Sequence, residues 1–164
     1  MEVKDCRQLT FVLNSGHYGF PINTVKEVIG LIKITHVPNV PKFIKGVINL
    51  RGKIMPVMDL RLKFEMPECD YNERTCIIIV SVHIKGEEKT IGVLVDRVSE
   101  VLDIKLDDVE PPPQYGSNDG VSFLKGIGKV KGRVVMLLDI DEVIGGDEIA
   151  SFFKQGAQQN SASV

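Results

Sequence analysis

Few side chains in this sequence have the types and spacing needed for catalysis. Nucleophilic catalysis needs a base directed at a serine or cysteine, but His17, His36 and His83 stand in scattered turn or strand contexts. The glycine-rich stretch at 126–132 matches neither the G-x-x-x-x-G-K-[ST] frame nor the G-x-G-x-x-G frame that binds nucleotides. The sequence therefore predicts that the chain is not an enzyme and uses no cofactor.

One pair of carboxylates has the spacing of a cation site. Asp139 and Asp141 form a D-x-D motif, which could hold a hard cation. An internal repeat, described below, aligns Asp139 with Asp59 but places Arg61 where the second carboxylate would be. We therefore expect Asp139 to cap the short helix that follows it, and we expect no metal site.

Cysteine usage and charge restrict the class of protein further. Cys6, Cys69 and Cys76 are odd in number and show no C-x-x-C spacing, which argues against a disulfide framework or structural zinc and indicates a reducing compartment. The apolar runs are too short to span a membrane. A net charge of -2 suggests no polyanion partner. We predict a cytoplasmic protein that is neither secreted nor inserted into a membrane.

The main feature of the sequence is an internal repeat. Residues 43–61 match residues 123–141 without a gap, and the shared residues include the leading phenylalanine, a lysine, two glycines and an aspartate. A second match precedes this one in the same order. Its aligned positions include Gly19 with Gly92, Val25 with Val98, Glu27 with Glu100 and Val28 with Val101. Two tandem copies of one unit follow, at about residues 9–64 and 76–144.

Each copy is rich in short strands. Apolar β-branched runs open the copies at 9–13 and 76–82, and further strands follow glycine turns at Gly52 and Gly132. Short strands with Gly and Pro between them are typical of small closed barrels of the SH3-like kind, which leave no exposed sheet edge. We therefore predict a mainly β protein built from two small barrels.

The expected helices are short. The apolar spacing within 25–29, which recurs within 98–102, fits one helical turn in each copy and fits a strand almost as well. Near the end of the chain, an aspartate can cap a helix over 147–155, whose apolar face should dock on a barrel. Residues 157–164 are small and polar and are expected to form a flexible tail.

Two continuous apolar runs, 76–80 and 91–95, lack the alternation of a strand with one wet face. Both faces of these strands must therefore be covered. The other barrel or the C-terminal helix can cover the outer face. Part of the same surface can also form a groove between the barrels that receives a helix from another protein.

A basic segment offers a different kind of partner. It could be an RNA-binding stripe, but such modules interleave aromatic residues for base stacking, and this segment has only Phe43 and Phe64. We interpret it as a solvated face and expect no nucleic-acid partner, with an RNA-binding barrel as the alternative. The basic residues concerned are Lys42, Lys45, Arg51, Lys53, Arg61 and Lys63.

Several of these motifs, in this order, resemble one family. Residues 43–61, with their N-L-R-G core, closely resemble the CheW family of bacterial chemotaxis coupling proteins. Residues 18–28, 92–101 and 123–139 resemble further motifs of the same family. The resemblance extends from about residue 8 to residue 144, and it covers nearly the whole chain.

The resemblance implies a fold and a role. It implies two intertwined five-stranded SH3-like barrels within one CheW-like domain over residues 1–164, with strand exchange between the copies possible. It also implies a non-catalytic adaptor that joins methyl-accepting chemoreceptors to the histidine kinase CheA. The regulatory domain of that kinase is itself CheW-like, but no kinase or phosphotransfer segment flanks the module here, so a free adaptor at membrane-associated receptor arrays is expected.

The resemblance also implies where the receptor binds. A groove between the barrels should accept the helical hairpin tip of the receptor, and Gly92 should let a helix approach closely because it has no Cβ. We expect a charge pair of Glu27 with Arg51 beside this groove, with Arg51 either contacting the partner or only fixing the N-L-R-G turn. The matching positions are Val25, Glu27, Val28, Arg51, Ile91, Gly92 and Val98.

Kinase contact is expected at exposed barrel ends, where CheW-like barrels pair with the related barrels of the kinase. The candidate positions are Lys45, Gly46, Thr75 and Cys76. Two further alternatives stay open at this level. The module could serve another signalling system such as surface motility, or Asp139 and Asp141 could support a metal-dependent enzyme.

Overall fold

Strands make up most of the described chain. The structure is a computed structural model, and it describes residues 5–67, 69–112, 123–144 and 149. Within these ranges the strands are β1 (Asp5–Leu13), β2 (Gly16–Pro21), β3 (Val25–Gly30), β4 (Ile44–Leu50), β5 (Lys53–Asp59), β6 (Cys76–Ile84), β7 (Glu87–Val95), β8 (Arg97–Lys105), β9 (Val109–Glu110), β10 (Leu124–Val130) and β11 (Arg133–Leu138).

The helices in the described ranges are short. The α-helices α1 (Leu60–Lys63) and α2 (Ile140–Ile144) follow β5 and β11, which are the last strands of the two repeats. Of the helix expected at 147–155, only Ile149 falls within the described residues, where it is helical and buried. The expected tail at 157–164 lies outside the described residues.

The strands form two sheets, and each sheet is one small barrel of the SH3-like kind. The first barrel has five strands in the order β3-β6-β7-β5-β4. The second barrel has six strands in the order β8-β1-β2-β11-β10-β9, of which β9 contributes only two residues. Neighbouring strands pair antiparallel except for β5 with β7 in the first barrel and β11 with β2 in the second.

The two repeats are intertwined through their first two strands. The hairpin β1–β2 belongs to the first repeat but lies in the second barrel, between β8 and β11. The hairpin β6–β7 belongs to the second repeat but lies in the first barrel, between β3 and β5. Each barrel therefore contains strands of both repeats, which confirms the intertwined fold class. The unit boundaries at about 9–64 and 76–144 stay a prediction.

The largest apolar cluster contains side chains from both barrels. Phe11 of β1, for example, shares this cluster with Ile78 and Val80 of β6. The alternate residues Ile77 and Ile79 belong to a smaller cluster inside the first barrel. Both faces of β6 are therefore covered from within the molecule, as the continuous apolar run required.

Residues 25–29 form a strand and not a helical turn, so the strand alternative is correct. Strand β3 pairs antiparallel with β6, and β8 pairs antiparallel with β1. A β-bulge in each pairing places an extra residue within β3 and within β8. This extra residue interrupts the two-residue alternation, and the apolar positions then mimic the i, i+3, i+4 spacing of a helix.

Candidate functional site

The expected charge pair between Glu27 and Arg51 is present. Glu27 lies on β3, and Arg51 lies at the tip of the hairpin formed by β4 and β5. A terminal nitrogen of the Arg51 guanidinium donates a hydrogen bond to a Glu27 carboxylate oxygen. The Arg51 side chain remains 67% exposed. The pair therefore ties the hairpin tip to β3 and leaves the guanidinium accessible from solvent.

The side chain of Arg51 does not fix the N-L-R-G turn. Arg51 has a φ of 53° and Gly52 a φ of 87°, and two successive positive values are the pattern of a type I′ hairpin turn. The side-chain oxygen of Asn49 accepts a hydrogen bond from the Gly52 backbone N–H at 2.9 Å. Asn49 and Gly52 therefore hold the turn, and contact of Arg51 with a partner stays a prediction.

The three valines of the expected receptor face differ in exposure. Val28 is 39% exposed and follows Glu27 on β3. Val25 and Val98 are half-buried and pack against the cluster shared by the barrels. The repeat relates Val25 to Val98, so the two side chains lie at matching edges of this cluster. Val28 is the most accessible of the three.

Two expected groove residues are buried, so the prediction that they line an exposed groove is wrong. Ile91 is 1% exposed and belongs to the shared cluster. Gly92 is buried beside it on β7, and a Cβ there would lie 2.8 Å from the Ile77 side chain and 3.4 Å from that of Val57. The missing Cβ of Gly92 therefore serves packing inside the first barrel and not the approach of a partner helix.

The second repeat carries its own version of the charged hairpin. Glu100, which aligns with Glu27, pairs with Arg133 at 2.8 Å and with Lys131 at 3.5 Å. Lys131 aligns with Arg51 and has a φ of 52° at the tip of the β10–β11 hairpin. The two repeat offsets already align these groups in sequence, and that signal was sufficient to predict the second pair.

The two repeats also carry exposed apolar side chains at matching positions. Val28 and Ile54 are 39% and 59% exposed in the first repeat. Val101 and Val134, at the matching positions, are 48% and 50% exposed. Each repeat therefore presents a glutamate, a basic hairpin tip and two exposed apolar side chains.

Two of the four kinase candidates have structural roles, which corrects their placement at an exposed barrel end. Gly46 is buried with a φ of 147°, and a Cβ there would overlap the carbonyl oxygen of Thr35. Thr75 is 5% exposed, and its hydroxyl accepts a hydrogen bond from the Asn72 backbone N–H at 2.9 Å. Gly46 thus permits a close backbone approach, and Thr75 shapes a turn.

The other two kinase candidates, Lys45 and Cys76, are partly accessible. The Lys45 ammonium lies 5.8 Å from the ring centroid of Tyr71. The Cys76 thiol donates a hydrogen bond to the backbone carbonyl of Arg74 at 3.2 Å. Both residues therefore border the chain segment 69–75, which covers one end of the first barrel.

Segment 69–75 is fastened by polar contacts. The Tyr71 hydroxyl donates a hydrogen bond to Oδ2 of Asp59 at 2.8 Å. Beneath the segment, the buried Arg61 donates to Asp96 at 2.8 Å. Nothing in the repeat predicted these contacts, because the segment lies between the two matching units.

Three of the basic residues expected on a solvated face have intramolecular partners, and one of the three, Arg61, is buried. Arg51 is paired with Glu27, and the buried Arg61 is paired with Asp96. The Lys63 ammonium lies 4.3 Å from the ring centroid of Phe43. These cations have different surroundings and intramolecular partners, so the arrangement does not favour the RNA-binding alternative.

Both aligned aspartates cap helices, which confirms the prediction made for Asp139. Oδ1 of Asp139 accepts hydrogen bonds from the backbone N–H groups of Asp141 and Glu142 at 3.1 and 3.3 Å. Oδ1 of Asp59 accepts from the Arg61 N–H at 2.9 Å in the same way. Within the described ranges, no cluster of three or more His, Cys, Asp or Glu side chains is arranged to hold a metal ion.

The structure thus defines a double-barrel module that presents two versions of one charged hairpin. A family model of the CheW-like domain matches residues 7–148, and the chain therefore belongs to the CheW-like family. No helix among the described residues is long and apolar enough to cross a membrane.

Individual relatives agree with this membership. The chain is 35% identical over 142 residues to the chemotaxis protein CheW of Klebsiella aerogenes, a match that covers 87% of this chain and 83% of the relative. It is 30% identical over 128 residues to the protein FrzA of Myxococcus xanthus, covering 77% of each. The crystal structure of the scaffolding protein TtCheW from Thermoanaerobacter tengcongensis superposes with a TM-score of 0.74 at 34% identity, covering 85% of this chain and 92% of that one.

Proposed function

We propose that this chain is a non-catalytic adaptor that couples methyl-accepting chemoreceptors to the histidine kinase CheA. Membership of the CheW-like family supports the proposal, as do the names of relatives that are chemotaxis and scaffolding proteins. As such an adaptor, the chain works in the cytoplasm and is recruited to receptor arrays at the membrane.

One observation carries the receptor part of this proposal. The Glu27–Arg51 pair is exposed, and Val28, which follows Glu27 on β3, is 39% exposed. An exposed ion pair contributes only about 0–1 kcal/mol to folding, so stability alone gives little reason for it. A planar, accessible guanidinium can instead hydrogen-bond with and pack against the surface of a partner helix.

The receptor-facing surface in this proposal consists of Val25, Glu27, Val28, Arg51 and Val98. Apolar contacts through the valines would supply binding free energy, and the charge pair would set the orientation of the receptor tip. Ile91 and Gly92 lie beneath this surface and support it without touching the partner.

The kinase-facing surface in this proposal lies at the covered end of the first barrel. Lys45 and Cys76 supply partly accessible side chains, and Gly46 and Thr75 set the backbone shape around them. Each contact is small, but an array raises the effective concentration of every component, so micromolar pairwise affinity is sufficient.

The receptor surface is tested by Arg51→His, with Lys131→His as the matched control at the corresponding turn position. We expect Arg51→His to weaken binding of a purified receptor cytoplasmic fragment about tenfold, because an imidazole does not reproduce the guanidinium fork. The control should bind normally, and both variants should melt within about 2 °C of the wild type. Equal binding by the two variants, or a collapse in folding of Arg51→His, would refute the proposed role.

A second candidate function is the same coupling within another signalling system. The observation that favours it is the similarity to a relative named FrzA and not CheW. Capture of receptors by this chain from cells of its own species would distinguish the two, because the identity of the captured receptors reports the pathway.

A further inference from the structure

Basic side chains gather on the inner face of the second barrel, near the tip of the hairpin β10–β11. Val12 of β1 pairs with Arg97 of β8 on one side and with His17 of β2 on the other. His17 in turn pairs with Val135 of β11, which follows Arg133 by two residues and packs inside the barrel. Residues that pair directly, and residues two apart on one strand, point to the same face of a sheet. Arg97, His17 and Arg133 therefore share one face, and we call these three residues the basic cluster.

The charges of the basic cluster act on one another. Burial, followed by the nearby Arg133 and Arg97, lowers the pKa of His17. Glu100 pairs with Arg133 at 2.8 Å and with Lys131 of the hairpin tip at 3.5 Å. Two cations therefore share this carboxylate, and the repulsion between like charges in the cluster is only partly offset.

Arg97 is the arginine of the basic cluster that lacks an acceptor among the described residues. It is half-buried, and within the described ranges no hydrogen bond or ion pair engages its side chain. Asp96, its neighbour in sequence, already accepts from Arg61 and from the Asn14 backbone N–H, both at 2.8 Å. A guanidinium offers five N–H donors in a planar fork that fits a carboxylate. The basic cluster therefore has an excess of positive charge and unused donors.

The matching end of the first barrel contains a carboxylate. The repeat relates His17 to Thr90, and Thr90 pairs with Ser81. The Ser81 hydroxyl donates a hydrogen bond to the carboxylate of Glu88. This hydrogen bond, followed by the charge of the nearby Lys26, lowers the pKa of Glu88. The cations at this end therefore have an acidic partner within the same barrel.

A difference in hairpin length explains why the second barrel lacks this carboxylate. The pairing in hairpin β1–β2 ends at Leu13 with Gly16. The corresponding hairpin β6–β7 continues for two further pairs, which contain Glu88 and Glu87. Hairpin β1–β2, which the structure describes in full, therefore has no residue in the place of Glu88.

We propose that the basic cluster of the second barrel binds a side-chain carboxylate on an acidic segment of a partner protein. The carboxylate accepts hydrogen bonds from the Arg97 guanidinium and takes the place that Glu88 occupies in the first barrel. The exposed fractions of the Arg133 and Lys131 side chains are 33% and 61%, so the surface is accessible from solvent. Lys131 attracts the neighbouring acidic residues of the bound segment.

The first test uses the full chain and two labelled synthetic peptides of equal length, oligoglutamate and oligoglutamine. Fluorescence anisotropy at low ionic strength should show saturable binding of oligoglutamate at about 10–500 μM and none of oligoglutamine. Added sodium chloride should weaken this binding, because salt screens exposed charges. No saturable binding of oligoglutamate up to about 1 mM, or equal binding of the two peptides, would overturn the proposal.

Two variants with the same change of charge locate the binding site. Arg97→Gln removes a cation from the basic cluster, and Arg7→Gln removes one from an exposed pair with Asp103 elsewhere on the same barrel. We expect Arg97→Gln to weaken binding of oligoglutamate at least about fivefold and Arg7→Gln to change it less than about twofold. Both variants should melt near the wild type. Equal weakening by the two variants would show attraction by net charge alone and would overturn the assignment.

Two further measurements distinguish the source of the anion. Isothermal titration with inorganic phosphate tests a free anion as the occupant. Phosphate that binds the wild type more tightly than oligoglutamate does, and loses this binding in Arg97→Gln, would overturn the carboxylate assignment, whereas weaker phosphate binding supports it. Sedimentation equilibrium tests a second copy of the chain. A wild-type dimer that Arg97→Gln dissociates would overturn the assignment to a different protein, and a monomeric wild type supports it.

Discussion

The interiors of the two barrels are filled differently, although one repeated unit built both. The repeat offsets, together with the pairing of Thr10 with Gly19 and of Ile79 with Gly92, set the correspondence. Apolar side chains fill the first barrel where smaller or polar residues stand in the second. The corresponding pairs are Ile48 with Gly128, Ile77 with Gln8, Ile79 with Thr10 and Leu94 with Pro21.

A hydrogen-bonded threonine partly replaces the lost apolar filling in the second barrel. The Thr10 hydroxyl donates to the Glu100 carbonyl at 2.6 Å and accepts from the Glu100 N–H at 3.1 Å, at the bulge of β8. The comparison teaches that the charged hairpin surface persisted in both copies while the interiors diverged. The second barrel is instead packed by its own apolar cluster of Leu102, Ile104, Val135 and Leu137, in which Ile104 lies over Gly128.

The largest expected difference between the barrels is at matching glycines. In Gly46→Ala the new Cβ overlaps backbone at a positive φ, which should cost about 3–5 kcal/mol of unfolding free energy. In Gly126→Ala the nearest atom is a side-chain methyl of Val109 at 2.7 Å, so a cost of about 1–2 kcal/mol is expected. Urea denaturation measures the unfolding free energy of both variants. Equal losses would contradict the expected difference between the two barrels.

The second prediction concerns the interiors themselves. Ile79→Ala should lower the unfolding free energy by about 3–4 kcal/mol, because it leaves a cavity in a packed cluster. Thr10→Val should cost about 1–2 kcal/mol although valine is more apolar, because the backbone groups of Glu100 lose their partner. A stabilising Thr10→Val would show that this hydrogen bond has no structural value.

Parts of this arrangement could be predicted from the sequence and parts could not. The repeat predicted two related barrels, and the D-x-D spacing together with Arg61 predicted a helix cap at Asp139. Burial of Ile91 and Gly92 depends on which strands pack over β7, and a motif does not carry that information. No sequence pattern predicted the contact of Tyr71 with Asp59, because segment 69–75 lies outside the two matching stretches of the repeat.

The third prediction concerns that segment. Tyr71→Phe should lower the unfolding free energy by about 1 kcal/mol, because the buried Asp59 loses one hydrogen-bond donor. Limited proteolysis should cut the segment faster in the variant, while cleavage elsewhere should be unchanged. Unchanged stability and protection would show that the hydroxyl does not fasten the segment.

The smallest expected difference between the barrels is in how their stability depends on pH. Burial, followed by the nearby Arg133 and Arg97, lowers the pKa of His17 on β2, and the repeat places Thr90 at the matching position. Because the folded pKa is below the unfolded value, the unfolded state binds the proton more readily. The contribution of His17 to the free energy of unfolding is therefore present above the unfolded pKa of about 6.5. It is lost as the pH falls through the folded pKa.

A stability profile of His17→Gln checks this effect against the wild type. The wild type should lose slightly more unfolding free energy than the variant when pH is lowered from about 7 to 5. Parallel profiles would show that His17 does not contribute to the pH dependence of the second barrel.

The central claim is that one molecule carries separate surfaces for a receptor and a kinase. Analytical ultracentrifugation of the full chain with a receptor cytoplasmic fragment and the CheA regulatory domain, added singly and together, tests it most directly. We expect a complex that contains all three proteins. With Arg51→His, the receptor fragment should be lost from the complex and the kinase domain should stay bound. Mutually exclusive binding of the two partners would contradict it.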